Sequence, residues 1–181
     1  MEAIIPLIEY GHLEYGENKV QEAITKWTEV KLAKPNIKLH LIGKLQTNKV
    51  KFAIKLFDYI HSVDTKKLAK KIADEELKQN KKIKIFLQIN IGNEEQKSGI
   101  NKDYLNEFYL YCKNLNLNVV GLMCIPPAED RSEIFFKEMS LLAQKLDLKE
   151  LSMGMSADYI EAAKNSSTYL RIGSNIFGKR G

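Results

Sequence analysis

Apolar residues follow two different spacings that alternate along this chain. Short, mostly apolar runs such as residues 83–90 are typical of strands that are buried on both faces of a sheet. Between them, apolar residues recur every three or four positions, as Val20, Ala23 and Trp27 do, which is typical of amphipathic helices. The runs predict seven strands, at residues 12–15, 38–43, 59–63, 83–90, 118–125, 149–153 and 169–173. The periodic segments predict helices at residues 2–10, 18–30, 48–56, 65–79, 102–114, 132–146 and 157–165.

The order of these elements predicts the fold class. Strands that alternate strictly with helices form parallel βαβ units, and no linker or change of composition divides residues 1–181 into two domains. A parallel barrel closes with eight strands, whereas the predicted order here begins with the helix at residues 2–10. We therefore predict one α/β domain, a (β/α)8 TIM-like barrel in which seven strands are present and the first is missing. An open α/β sheet is the alternative that the pattern leaves.

The basic composition does not by itself indicate nucleic-acid binding. The net charge is +5, but the lysines of the predicted helix at residues 65–79, such as Lys66 and Lys70, are accompanied by acidic residues such as Asp74. Lysines without interleaved arginine or aromatic residues are more typical of a solvated face than of a nucleic-acid surface. We therefore predict no nucleic-acid partner.

Hydrophobicity and cysteine use indicate the compartment. No stretch of the chain approaches the roughly 18 consecutive apolar residues that a membrane span needs. The first six residues lack the basic region and cleavage pattern of a signal peptide. Cys112 and Cys124 lie in apolar segments, which indicates reduced core thiols. The prediction is a cytoplasmic protein with no membrane partner.

Two predicted strands near the end of the chain are each followed directly by small residues and a helix start. Ser156 follows the strand at residues 149–153, while Gly173 ends the strand at residues 169–173 and Ser174 follows it. Backbone N–H groups at a helix start are unpaired and carry partial positive charge, so they bind phosphate well. In (β/α)8 barrels the loops after the last two strands commonly hold phosphate. The sequence predicts a phosphate site here, although a plain N-cap also explains Ser156.

Arg171 lies on the last predicted strand, where alternation places it on one face with Tyr169 and Gly173. An arginine buried in such a strand must be paired. Two kinds of partner fit the pattern: a carboxylate of the protein, or the ring nitrogen or phosphate of a bound ligand. The neighbouring phosphate site favours a phosphorylated ring.

Further polar side chains follow other predicted strands. Asn18 either caps the next helix or points its amide to a ligand at the barrel mouth. Lys97 is either a ligand contact or a solvated lysine, and His40 is either a donor at the mouth or a satisfied histidine between strand and helix. The other donors after the second strand are Gln46, Asn48 and Lys49. The histidines have no metal-ligand spacing, so no metal site is predicted.

Several motifs, spread in order over the whole chain, resemble those of one known family. They are Gly16-Glu-Asn18, His40-Leu-Ile-Gly43, His61-Ser-Val-Asp64, Lys97-Ser-Gly99, Leu151-Ser-Met-Gly-Met-Ser156 and Arg171-Ile-Gly-Ser-Asn-Ile-Phe-Gly178. Together they closely resemble the pyridoxal phosphate homeostasis protein family, which is related to the N-terminal barrel of alanine racemase.

This resemblance implies a modified (β/α)8 barrel of the alanine racemase N-terminal type. It implies that the barrel binds pyridoxal 5′-phosphate (PLP) and has no firmly established catalytic activity. The implied PLP-binding residues are Ser156, Gly173 and Ser174 at the phosphate, Arg171 at the pyridine nitrogen, and Asn18 and Met155 along the ring.

The resemblance also implies a departure from the family pattern. The family holds PLP as a Schiff base on a lysine at the end of the first barrel strand, and none of the lysines at 19, 44, 49 and 97 matches that position. We therefore expect a PLP carrier or buffer without the covalent tether, and a PLP-dependent enzyme of the amino-acid racemase type is the alternative. A complete barrel is expected to be a monomer, whereas open strand edges are expected to permit self-association.

Overall fold

The computed structural model describes residues 3–128 and 132–178, in which parallel strands alternate with helices. The strands are β1 (Glu14–Glu17), β2 (Lys38–Leu41), β3 (Tyr59–Val63), β4 (Lys84–Ile89), β5 (Asn118–Cys124), β6 (Glu150–Met155) and β7 (Tyr169–Arg171). The helices are α1 (Ile5–Glu9), α2 (Val20–Ala33), α3 (Val50–Leu56), α4 (Lys66–Gln79), α5 (Leu105–Asn114), α6 (Ser132–Lys145), α7 (Tyr159–Lys164) and α8 (Ser174–Phe177). Two 3₁₀ turns lie at Thr47–Lys49 and Lys102–Tyr104.

Local sequence sets the ends of these elements, as α4 illustrates. The side chain of Thr65 accepts a hydrogen bond from the backbone N–H of Leu68 at 3.2 Å, which satisfies one unpaired donor of the first turn. The helix ends at Asn80, whose left-handed backbone (φ 48°) stops the helical repeat. Between these ends, Leu68 and Ile72 recur four positions apart and are buried against the sheet.

The strands form one curled sheet in the order β1 to β7. Tyr59 on β3 and Tyr169 on β7 place their hydroxyl oxygens 3.5 Å apart, and the ring centroids of His40 on β2 and Tyr169 are 5.4 Å apart. Strands that are distant in the sheet order can make such contacts only if the sheet curls into a nearly closed barrel. The predicted seven-stranded α/β barrel is confirmed, and the open sheet is wrong. In the described residues, β1 and β7 do not pair with each other.

The core has two layers, one outside and one inside the barrel. The outer layer packs helix residues such as Trp27 and Phe136 against the sheet, and both are fully buried. The inner layer contains Tyr59, Phe86 and Met123. Burying each such side chain contributes roughly 1.5–3 kcal/mol, so the apolar layers hold the strand ends, and with them the loops, in fixed positions.

The first strand lies two residues later than the sequence pattern predicts. It was expected at residues 12–15 and spans Glu14–Glu17, because its register pairs Glu14 with Lys38 and Glu17 with Leu41. Glu17 is buried in this strand because its carboxylate accepts hydrogen bonds at 2.7 Å from Trp27 Nε1 and Lys26 Nζ. An acidic residue with such partners is compatible with a buried strand position, although its polarity obscures the strand in the sequence.

Two further findings concern the compartment prediction. None of the helices within the described ranges is long and apolar enough to cross a membrane. Cys112 and Cys124 are buried and free, as the sequence predicted. Burial raises the pKa of each thiol to about 12, so both are neutral at physiological pH.

Candidate functional site

The loops after β6 and β7 meet at one end of the barrel. The backbone N–H of Gly173 donates to Ser156 Oγ at 3.3 Å, and Asn175 Nδ2 donates to the Ser156 carbonyl at 3.1 Å. Because α8 begins at Ser174, the N–H groups of Ser174 and Asn175 belong to its first turn and have no carbonyl within the helix to pair with. These groups and two serine hydroxyls can therefore converge on an anion.

There is open space beside this pair of loops. A Cβ atom added at Gly173 would meet no atom within 4 Å. Met155 pairs in register with Arg171 on the neighbouring strand, and its side chain remains partly exposed. Met155 therefore forms one rim of the space between the loops and the interior of the barrel.

Arg171 links this space to the barrel interior. Its Nη1 donates to Ser152 Oγ and its Nη2 donates to the Cys124 carbonyl, each at 2.8 Å. Within residues 3–128 and 132–178, no carboxylate forms an ion pair with it and Nε has no hydrogen-bond partner. The expected alternative of a protein carboxylate is therefore not found among these residues. Burial lowers the pKa of the guanidinium, but an arginine still remains charged.

A chain of hydrogen bonds continues from Arg171 through the barrel. Its members, which we call the interior relay, are Glu14, His40, His61, Ser152 and Arg171. His40 Nε2 lies 2.5 Å from Glu14 Oε2, and His40 Nδ1 lies 2.9 Å from His61 Nε2. His61 Nδ1 lies 2.8 Å from Ser152 Oγ. The relay thus connects strands that are far apart in the sequence.

Burial keeps both imidazoles of the relay neutral. Removal from water lowers the pKa of His40, although the carboxylate of Glu14 opposes that effect. Burial, reinforced by His40 and Arg171, holds the pKa of His61 well below its usual value of 6.5. The rings stack on aromatic neighbours, His40 on Tyr59 and His61 on Phe86, with centroids 4.2 Å apart in each pair.

The structure corrects the expectations for His40 and for the Asn18 cap. His40 lies inside the barrel and is neither at the loop end nor between strand and helix. Lys19, not Asn18, is the residue before α2, and its side chain makes no capping hydrogen bond to that helix. Asn18 is exposed just after β1, and its backbone lies against Gly43, where an added Cβ would be 2.2 Å from the Asn18 oxygen. In the described part of the chain its amide makes no hydrogen bond, so it is available to a ligand.

The other expected donors divide into held and exposed groups. Lys97 donates to the Pro126 carbonyl at 3.2 Å and pairs with Glu94 at 2.5 Å, so it is neither simply solvated nor shown at a ligand. The polar residues after β2, at 46, 48 and 49, lie on the loop and 3₁₀ turn that lead into α3. Within residues 3–128 and 132–178, no group of three or more histidine, cysteine, aspartate or glutamate side chains could hold a metal ion.

Sequence reasoning missed three relay members as site residues, namely Glu14, His61 and Ser152. A signal exists, because His61 and Ser152 are polar residues within otherwise apolar strands, and buried polar groups need partners. The spacing of residues along one strand does not reveal a partner on another strand. Only the curvature of the barrel brings β2, β3, β6 and β7 close enough for these bonds.

Sequence comparison relates the chain to one family over its whole length. The family model described as alanine racemase, N-terminal domain, matches residues 1–181. The pyridoxal phosphate homeostasis protein of Aquifex aeolicus (strain VF5) is 38% identical over 92% of this chain and 76% of its own length. The protein of the same name from Escherichia coli (strain K12) is 34% identical over 98% of this chain and 80% of its own length.

Structure comparison gives the same relationship. PipY of Synechococcus elongatus PCC7942, in a structure with PLP bound, is 32% identical with a TM-score of 0.90, covering 98% of this chain and 87% of PipY. Alanine racemase of Clostridium difficile 630 is 15% identical with a TM-score of 0.76, covering 99% of this chain and 48% of the racemase. At that identity the second similarity concerns the fold alone.

Proposed function

Because this chain belongs to the alanine racemase N-terminal domain family, together with the pyridoxal phosphate homeostasis proteins, we propose that it binds PLP and takes part in PLP homeostasis. In this role it holds the cofactor and releases it. The observation that carries the proposal is Arg171, a partly buried guanidinium with only neutral partners and a free Nε among the described residues, beside a pair of loops suited to an anion. PipY, which has the same fold, has been seen with PLP bound.

The residues present fit the two chemical ends of PLP. Unpaired N–H groups at the start of α8 and the hydroxyls of Ser156 and Ser174 suit its phosphate, and the open space at Gly173 leaves room for it. Arg171 can donate to the pyridine nitrogen through Nε. Asn18 and Met155 would line the ring.

The donor at the ring favours binding over catalysis. PLP supplies an electron sink to enzymes that use it. A guanidinium only donates hydrogen bonds and stays charged, so Arg171 would keep the pyridine nitrogen unprotonated. An unprotonated ring withdraws electrons less effectively, which supports a holding role for this chain rather than that of an amino-acid racemase.

We further propose that the 181-residue chain holds PLP without a covalent bond. Lys97, the lysine on the loop after β4, is already paired with Glu94 and the Pro126 carbonyl. Phosphate contacts, Arg171 and packing on the ring would then supply the affinity. The buried free thiols support a reducing compartment, and we propose the cytoplasm.

The test uses 4-deoxypyridoxine 5′-phosphate, which has the phosphate and ring of PLP but no aldehyde. Calorimetric titration should give one site per chain, with an affinity within about ten-fold of that for PLP, since neither ligand gains a covalent bond. Arg171→Met should weaken the binding of both ligands. Lys102→Met should weaken the binding of neither, because Lys102 pairs with Glu138 and is not one of the proposed ligand contacts.

Three results would contradict the proposal. Absence of analogue binding to the native chain would refute the placement of the site. Borohydride reduction with PLP followed by peptide mass spectrometry should give only scattered, substoichiometric lysine adducts. A single stoichiometric adduct would show that this chain holds PLP covalently. Alanine racemase activity of the PLP-loaded chain would refute the non-catalytic role.

A further inference from the structure

The interior relay runs from one mouth of the barrel to the other. Glu14 is the first residue of β1 and Arg171 is the last residue of β7, so the two ends of the relay lie at opposite ends of the strands. The Glu14 side chain is 48% exposed, whereas His61 is 1% exposed. A group in contact with solvent at one mouth is thereby joined to the guanidinium that borders the proposed PLP site at the other.

The end groups determine the direction of every hydrogen bond in the relay. Arg171 can only donate, and a carboxylate such as that of Glu14 can only accept. Ser152 accepts from Arg171 and gives its one hydroxyl proton to His61 Nδ1. His61 then donates from Nε2 to His40 Nδ1, and His40 donates from Nε2 to Glu14. Each of the four contacts thus contains one proton.

This arrangement requires both rings to be neutral and protonated at Nε2. The lowered pKa values of His40 and His61 agree with neutral rings. If the carboxylate at position 14 is lost, His40 has no acceptor at that end, and the opposite order becomes available. In that order His40 donates from Nδ1 to His61, and His61 donates from Nδ1 to Ser152.

In the opposite order, Ser152 accepts from both of its neighbours. Its own proton then has no partner in the relay, and its oxygen uses both lone pairs, one for His61 and one for Arg171. The guanidinium keeps its two partners, but the oxygen that accepts from Nη1 is now shared with a second donor and is no longer polarised by donating its own proton, so this bond weakens while the bond to the Cys124 carbonyl is unchanged. Its position at the ring should therefore be less sharply defined.

We infer that the interior relay positions Arg171, and that the carboxylate of Glu14 strengthens PLP-ring binding at the opposite mouth by fixing the direction of the relay. The ligand half of this inference rests on the proposed function. Glu14 and the two histidines are positioning residues here, because none of them borders the proposed ring site. The direction of the relay is a property of the ligand-free protein and can be tested separately.

The first experiment measures the tautomers in the ligand-free protein. Long-range ¹H–¹⁵N correlation spectra of the imidazole rings resolve the three histidines of the chain, and His12→Gln assigns the exposed one. We expect His40 and His61 to be neutral and protonated at Nε2, and we expect Glu14→Leu to move the His61 proton to Nδ1. A native His61 protonated at Nδ1, or a His61 tautomer unchanged in Glu14→Leu, would overturn the inference.

The second experiment measures affinity for 4-deoxypyridoxine 5′-phosphate and for inorganic phosphate. Glu14→Leu should weaken the analogue about five-fold or more, the lower end of typical couplings between sites, and should leave phosphate binding within two-fold. The matched control is Glu150→Leu, because Glu150 is also the first residue of its strand and lies outside the relay in the structure described. It should change neither affinity. Glu14→Gln, which keeps an acceptor oxygen, should restore part of the loss.

The outcomes separate the two proposals. A native chain that binds no analogue refutes the proposed function and the ligand half of this inference, and the tautomer spectra then decide the relay alone. A chain that binds the analogue equally well with and without the Glu14 carboxylate refutes the coupling while the proposed function stands. Parallel loss of phosphate and analogue binding, with an altered unfolding midpoint, also refutes it, because such a loss reflects general disruption.

Discussion

The buried histidines predict that the free energy of unfolding falls as the pH decreases from 7.5 to 5. In the folded protein, burial lowers the pKa of His61 well below 6.5 and also lowers that of His40. In the unfolded chain both rings regain a pKa near 6.5. Below that pH the unfolded chain takes up protons that the folded protein does not. The contribution of the two histidines to the free energy of unfolding is therefore fully present above pH 6.5 and is lost as the pH falls below it.

The size of the effect follows from the protons taken up. A ring that stays neutral in the fold and has a pKa of about 6.5 when unfolded costs about 2 kcal/mol at pH 5 relative to pH 7.5, at a limiting slope of about 1.4 kcal/mol per pH unit. We expect His61 to contribute close to this amount. His40 should contribute less, because Glu14 partly opposes the lowering of its pKa.

Urea unfolding monitored by tryptophan fluorescence measures this dependence, since Trp27 is the single tryptophan and is fully buried. Between pH 7.5 and pH 5, the free energy of unfolding should fall by about 2 kcal/mol less in His61→Gln than in the native protein. In His12→Gln, the same change at an exposed ring, the free energy of unfolding should fall as much as in the native protein. A native difference below about 1 kcal/mol, or an undiminished difference in His61→Gln, would refute the assignment of neutral buried rings.

Three further predictions follow from the packing. Gly121→Ala should lower the free energy of unfolding by at least about 1–3 kcal/mol, because the new Cβ would lie 2.0 Å from the Glu150 carbonyl oxygen on the next strand. Urea unfolding should show a far smaller loss for Gly173→Ala, because the space around Gly173 is open. Cys112 and Cys124 should resist Ellman's reagent at pH 8 in the folded state and react in urea, because burial raises the pKa of both to about 12; rapid reaction of either folded thiol would contradict the burial. Among the described residues, β1 and β7 each pair on one side only, and these open edges should give concentration-dependent self-association in size-exclusion chromatography. A monomer at all concentrations would argue against exposed edges that pair with another chain.

The spacing of apolar residues by itself determined the order and the kind of most elements. Whether a residue is buried in a helix or a strand depends on the period of its immediate neighbours, and this period is local. The strand at residues 59–63 was therefore predicted with its observed bounds, Tyr59–Val63. Strict alternation then implied parallel strands, since a helix between two strands returns the chain in the same direction.

Tertiary structure decided the partners across the barrel. The hydrogen bond between His61 and Ser152 joins residues 91 positions apart, and nothing in the spacing along β3 or β6 specifies it. The same holds for Arg171, where the sequence left a carboxylate and a ligand as alternatives, and the curl of the sheet supplied a hydroxyl and a carbonyl. β1 was misplaced for a related reason: the burial of Glu17 depends on donors from α2. Local periodicity records which face of an element avoids water, whereas sheet curvature and register select the groups that meet inside it.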